Sequence, residues 1–337
     1  MVDISIKRSF ENFNLNFKYK SECKRIGILG CSGSGKTLTL KTIAGIEDAD
    51  NGFIKIENNT LYDSRNKINL KPQKRSVGYL FQNYALFPNM TVKENILSGM
   101  KRDSSKNINN IIKAFRLEGL ENNLPNQLSG GQQQRCALAR IIANNPEAIL
   151  LDEPFSALDE SLKEELKREI EKILGNFKGT VIVVSHNKDE IYTMTDELII
   201  LDKGNIVEIG KTKEIFDNPK TIEGARLTGY SNISEVENKG NSIYIPLWDI
   251  YLPIKEDIKG VAIRAQQFNI KGGEYAFDVI SPIISEDIYE YNISFKASNN
   301  SKERINWKIS KFNMGISLEN IPKRVYLDEN SLIKLYK

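Results

Sequence analysis

Apolar residues in the first two-thirds of the chain follow two alternating rhythms, short unbroken runs and longer stretches with helical spacing. Arg25-Ile26-Gly27-Ile28-Leu29 predicts a buried strand, and Thr37 to Ala44 predicts the helix behind it. Ala148-Ile149-Leu150-Leu151 and Val181-Ile182-Val183-Val184 are apolar on both faces, as central parallel strands are. Val77-Gly78-Tyr79-Leu80-Phe81 reads as one strand more, and the stretch from about Asn83 to Asn145 is more helical. After Asp159, Leu162, Leu166, Ile170 and Ile173 recur at helical spacing while Lys and Glu fill the rest, so this helix packs one face and solvates the other. Strands alternating with amphipathic helices predict an α/β domain with a mostly parallel sheet.

The texture changes near Thr228 to Ser234, and beyond it short strands and turn residues replace the helical period. Tyr289, Tyr291, Ile293 and Phe295 alternate with polar residues. After the turn-like Ser298-Asn299-Asn300-Ser301, Ile305, Trp307 and Ile309 alternate likewise, which predicts a half-buried hairpin. The expected organisation is an α/β domain over 1–230, with a helical subdomain at about 83–145, and a small C-terminal β-barrel over 231–337. The chain carries no internal repeat.

Composition changes this picture mainly by exclusion. A length of 337 residues allows two cores. With 47 basic and 44 acidic residues the net charge is only +3, so no Lys/Arg field for nucleic acid is expected. Cys23, Cys31 and Cys136 form no paired or metal pattern, and an odd count suits a reducing cytosol. No signal peptide is expected before Ser5, and no apolar run approaches the ~18–20 residues of a spanning helix. A role in transport would need a pore from another polypeptide.

The chemistry begins where the first buried strand ends. Gly30-Cys31-Ser32-Gly33-Ser34-Gly35-Lys36-Thr37 fills G-x-x-x-x-G-K-[ST], a phosphate-binding loop. Its glycines let backbone N–H groups converge on phosphate oxygens, and the following helix adds its positive dipole end. Lys36 is expected to reach the β- and γ-phosphates of ATP and the Thr37 hydroxyl to ligate Mg²⁺. Asp152 and Glu153 close the Ile149-Leu150-Leu151 strand, at a strand end where open α/β sheets bind ligands. Asp152 reads as the carboxylate that holds Mg²⁺, and Glu153 as the general base for the attacking water.

Leu128-Ser129-Gly130-Gly131-Gln132, lying between loop and acidic pair, narrows the class. In that order the three motifs resemble the ATP-binding-cassette (ABC) ATPases, over roughly the first two-thirds of the chain. The resemblance implies further roles. Gln82 matches the family's Q-loop, which reaches Mg²⁺ or the lytic water. His186, the single histidine, stands after a buried strand where the family keeps a switch histidine for the γ-phosphate. Ser156-Ala157-Leu158-Asp159 looks like the D-loop. Ser129, Gly130, Gly131 and Gln132 would contact ATP bound to a second copy, so two chains would sandwich two ATP molecules. Phe10 sits where the family stacks an aromatic on adenine; Phe13 is close enough to compete, and either ring could instead belong to the core.

Lys74-Arg75-Ser76-Val77-Gly78 and Tyr84-Ala85-Leu86-Phe87-Pro88, around Gln82, look like the importer ATPases that carry an extra C-terminal domain. The implied partners are a homodimer mate, two integral-membrane permease subunits and, indirectly, an extracytoplasmic substrate-binding protein. The implied location is the cytoplasmic face of the membrane. The whole chain is most similar to the ATPase of molybdate importers: Lys74 to Tyr79, then Asn95-Ile96-Leu97-Ser98-Gly99-Met100, and Ile305-Asn306-Trp307-Lys308-Ile309-Ser310 resembling that family's molybdate-binding (TOBE-like) barrel. A Ser-Ala-Arg-Asn run, the mark of oxyanion-binding barrels, is missing, so regulation by the oxyanion is not implied. Sulfate/thiosulfate, ferric iron and polyamine importers share the cassette. A soluble ABC ATPase without a permease, or a cassette regulating an independent ligand-binding barrel, are the other classes.

Overall fold

The computed structural model of this chain describes residues 1–100, 108–156, 160–253, 256–298, 303–312 and 320–336. The chain divides into two compact units, Met1–Lys213 and Glu214–Lys337.

The first unit is built on a sheet of 11 strands. In chain order these are β1 (Val2–Phe10), β2 (Phe13–Ser21), β3 (Arg25–Leu29), β4 (Asn51–Ile56), β5 (Asn59–Asp63), β6 (Ile68–Asn69), β7 (Val77–Leu80), β8 (Ala148–Asp152), β9 (Thr180–Val184), β10 (Glu197–Asp202) and β11 (Asn205–Lys211). Their spatial order is β6-β5-β4-β1-β2-β11-β10-β3-β9-β8-β7. The run β10-β3-β9-β8-β7 is parallel throughout, and every residue of β8 and β9 is buried, which is why these strands are apolar on both faces. In the other half β6-β5-β4-β1-β2 and the pair β11-β10 are antiparallel, while β2 meets β11 in parallel; Val2, Ile4 and Ile6 of β1 and Leu15, Phe17 and Tyr19 of β2 point into one core, with polar residues between them.

Helix α1 (Lys36–Ala44) follows β3 and buries Leu40 and Ile43 against that core. Its C-terminus is closed by Gly45 in the left-handed region and by Arg75, whose buried guanidinium donates to the carbonyls of Thr42 and Ile43. The helical stretch holds α2 (Val92–Gly99), α3 (Ile108–Ala114) and α4 (Gly130–Ala143). Helix α5 (Glu160–Gly175) and α6 (Lys188–Met194) flank β9 in sequence. On α5 the apolar stripe runs through Leu166, Ile170 and Leu174, and Ile173 is only half-buried. Among the described residues no helix is long and apolar enough to cross a membrane.

The second unit begins within a short helix at Thr212–Asp217, has another at Ile222–Leu227, and continues as antiparallel strands in four small sheets around a large apolar cluster and a smaller one. The expected hairpin is present: Phe295 pairs with Ile305, Ile293 with Trp307 and Tyr291 with Ile309, and Ile293, Phe295, Ile305, Trp307 and Ile309 are all buried. Among the described residues these ladders form an antiparallel β unit. Its start also lies earlier than the texture change at 228–234. Ala225 and Tyr230 pack with Ala262 and Leu335, and Arg264 donates to the carbonyls of Phe216 and Thr228. The segment 214–230 therefore folds with the strands that follow it.

Candidate active site

The phosphate-binding loop spans the turn from β3 to α1. Two of its glycines hold left-handed backbone, Gly33 at φ 77° and Gly35 at φ 103°, which a residue with a Cβ adopts only under strain. Gly30 is needed for space, because a Cβ there would lie 2.4 Å from the Leu201 carbonyl and 2.5 Å from Ser34 Oγ. The Lys36 ammonium folds back onto the loop, donating to the carbonyls of Gly30 at 2.8 Å and Cys31 at 2.9 Å. Burial pushes its pKa below the ordinary lysine value. Loop and neighbours line an open cleft of about 480 Å³ formed by Phe13, Ser32, Gly33, Gly35, Lys36, Thr37, Leu38, Gln82, Glu153 and His186.

Asp152 stands at the last position of β8 and is 6% exposed. Thr37 Oγ1 donates to its Oδ1 at 2.9 Å and Tyr79 Oη to its Oδ2 at 2.7 Å. Glu153 follows in a left-handed conformation, φ 51°, with its N–H bonded to the Val184 carbonyl on the next strand. That turn sends its carboxylate out over the cleft. His186 is set by its neighbours. Ser185 Oγ is buried and donates to Glu190, Asn187 caps α6 by accepting from Asp189 and Glu190 N–H, and the imidazole between them stands 70% exposed. Its Nδ1 lies 2.5 Å from Glu153 Oε2.

The cleft fits a magnesium nucleotide. Thr37, Asp152 and Gln82 offer oxygen donors only, the set a hard divalent cation takes. Ser34 Oγ is buried with no hydrogen-bond partner, in the middle of a loop of converging amides.

The sequence-predicted residues are not all in one place. Ser32, Gly33, Gly35, Lys36, Thr37, Gln82, Glu153 and His186 share the cleft, and Asp152 joins it through Thr37. Gly30, Cys31 and Ser34 shape the loop from beneath. Ser129, Gly130, Gly131 and Gln132 do not line the cleft. They form the start of α4, where Ser129 Oγ accepts from Gln132 N–H and Gln132 Oε1 accepts from Ser129 N–H, a reciprocal cap. The Gly130 and Gly131 amides, in the first turn, have no intrahelical acceptor. Asp159 lies outside the described residues.

Phe10 and Phe13 stand in different surroundings. Phe10 is 45% exposed, its ring under the Arg8 guanidinium, and it does not line the cleft. Phe13 does. The two residues pair across a two-residue turn, and Phe13 settles over Gly35, where a Cβ would come within 2.8 Å of its ring. The Tyr79 hydroxyl was not anticipated, because it acts on a residue 73 positions away.

A phosphate-binding loop beside a strand-end aspartate and glutamate is the arrangement of an ATP-hydrolysing cassette, and the ABC transporter family profile matches residues 11–156. The chain is 33% identical over 333 residues to the sulfate/thiosulfate import ATP-binding protein of Mesostigma viride, covering 95% of this chain and 90% of that protein. It is 32% identical over 320 residues to the spermidine/putrescine import ATP-binding protein of Thermotoga maritima, covering 85% of this chain and 84% of the relative. A solved dimeric ATP-binding cassette in a post-hydrolysis state with ADP and Pi superposes with a TM-score of 0.52 at 29% identity, covering 63% of this chain and 99% of that one. The chain belongs to the import-type ABC ATP-binding proteins and is the ATPase subunit of an ABC importer.

Proposed function

We propose that this subunit energises uptake of a tetrahedral oxyanion, with molybdate as the cargo. The observation that supports an oxyanion is the similarity to a sulfate/thiosulfate import subunit, which extends over 95% of the chain and so includes the second unit. The runs Lys74 to Tyr79, Asn95 to Met100 and Ile305 to Ser310 favour molybdate within that class. Polyamine import is the second reading, favoured by 41% identity over 229 residues to the spermidine/putrescine import ATP-binding protein of Clostridium novyi.

In this reading Lys36 holds the β- and γ-phosphates, Thr37 and Asp152 hold Mg²⁺ with Gln82 beside it, and Phe13 stacks on adenine. Bound Mg²⁺ neutralises phosphate charge. Glu153 takes the proton of the attacking water, and His186 orients Glu153 and meets the γ-phosphate. The start of α4 completes the site of a second copy, so ATP closes a homodimer and hydrolysis reopens it. The cleft's Gln82 edge passes that motion to two permease subunits at the cytoplasmic face of the membrane, which an extracytoplasmic binding protein loads.

Deleting the gene in a strain with no second molybdate importer is expected to abolish molybdoenzyme activity at low molybdate and leave spermidine uptake intact. Unchanged molybdoenzyme activity removes this cargo. Loss of labelled spermidine uptake instead selects the polyamine reading.

A further inference from the structure

Asp152 carries a buried carboxylate whose two oxygens have different donors, and the donors differ in kind. Thr37 belongs to the phosphate-binding loop and can turn its hydroxyl toward a ligand. Tyr79 comes from the sheet itself. On the parallel pair β7 and β8, Tyr79 stands level with Leu150, and Asp152 is two residues further along on the same face. The phenol spans that offset, reaching Oδ2 at 2.7 Å. Its ring is packed against the central core and against Phe81, ring centroids 4.5 Å apart.

We propose that Tyr79 is the positioning residue for Asp152: its hydroxyl fixes Oδ2 from the sheet and keeps Oδ1 on the Thr37 side. This rests on the reading of Asp152 as the Mg²⁺-holding carboxylate. Partners that orient a ligating carboxylate typically change metal affinity by about 10–100-fold when removed. A packing residue with no such role would change stability and leave the metal-linked part of nucleotide binding untouched.

The test uses the full-length protein and a fluorescent ATP analogue, with dissociation constants measured in Mg²⁺ and in EDTA. Tyr79→Phe keeps the ring and removes the hydroxyl. It is expected to bind the analogue as wild type in EDTA, while losing about tenfold of the tightening that Mg²⁺ brings. Asp152→Asn, measured beside it, is expected to lose nearly all of that tightening. Circular dichroism and thermal melting confirm folding, and Tyr79→Met takes the place of Tyr79→Phe should the latter not fold. Full Mg²⁺-dependent tightening in the Tyr79 variant, with Asp152→Asn defective, overturns the proposal and leaves the Asp152 reading standing. Full tightening in both overturns both.

Discussion

His186 and Glu153 meet from the ends of two adjacent parallel strands, Nδ1 of the imidazole 2.5 Å from Oε2 of the carboxylate. The meeting depends on two local devices. A left-handed residue after β8 swings Glu153 outward, and the Ser185–Glu190 and Asn187 contacts keep His186 off the start of α6. Both side chains line the same cleft as Lys36 and Thr37. A carboxylate so held, with imidazole on one oxygen, suits the abstraction of a proton from water.

Replacing Glu153 by Gln keeps the size of the side chain and removes the base. Glu153→Gln is expected to bind ATP as wild type and to lose turnover by about 10²-fold or more, the usual loss for a positioned general base. Lys36→Ala is expected to weaken ATP binding itself. Steady-state phosphate release and equilibrium nucleotide binding separate the two; hydrolysis by Glu153→Gln at the wild-type rate would remove the base role.

Phe13 and Phe10 face each other across one turn, and only Phe13 lines the cleft. Stacking of a base on an aromatic ring contributes roughly 1–3 kcal/mol as read by alanine substitution. Phe13→Ala is expected to weaken ATP binding by about fivefold or more, while Phe10→Ala stays within about twofold of wild type. Titrating both with a fluorescent nucleotide decides it. The reverse ranking would return the adenine to Phe10.

Arg75 is buried and fans its guanidinium over four acceptors: the carbonyls of Thr42, Ile43 and Leu70 and Oδ1 of Asn69. Two of these are end-of-helix carbonyls of α1, the helix that begins at Lys36. Arg75→Met fills part of the volume and donates nothing. It is expected to cost about 3 kcal/mol, since stranded buried acceptors cost ~1–3 kcal/mol each when no water reaches them. Urea unfolding measures this, and a loss below about 0.5 kcal/mol, the scale of an ordinary surface substitution, would show that solvent replaces the guanidinium.

What was legible in the chain follows a physical line. The phosphate loop is readable because backbone amides on one short turn must surround one phosphate, so its chemistry is contiguous in sequence. Strands β3, β8 and β9 are readable because burial on both faces leaves polar residues only at their ends, Arg25, Asp152 and Thr180. The pairings made by the sheet are different: Thr37 and Asp152 are 115 positions apart, and Tyr79 and Asp152 are 73 apart. No local pattern encodes them. The segment 214–230 carries helical texture like the first unit, and only its packing against Ala262 and Leu335 assigns it to the second.

The start of α4 and the phosphate loop can be separated genetically. Among the described residues the cleft has no wall from Leu128 to Gln132, so within one chain the nucleotide would lack the helix dipole and the Gly130 and Gly131 amides. If a second copy supplies them, a Ser129→Arg chain has a good loop and a spoiled helix start, and a Lys36→Ala chain has the converse. Each alone gives dimers with no intact site. In the mixed dimer the loop of the first meets the helix start of the second, leaving one composite site intact and one doubly defective. ATPase activity is therefore expected to reappear on mixing, and only in the heterodimer, isolated with two affinity tags. An arrangement within one chain gives no intact site in any mixture. Ser129→Arg also removes the helix cap, which costs ~1 kcal/mol, so its melting temperature is compared with that of Ser129→Ala. A folded heterodimer without activity would sink the shared-site arrangement.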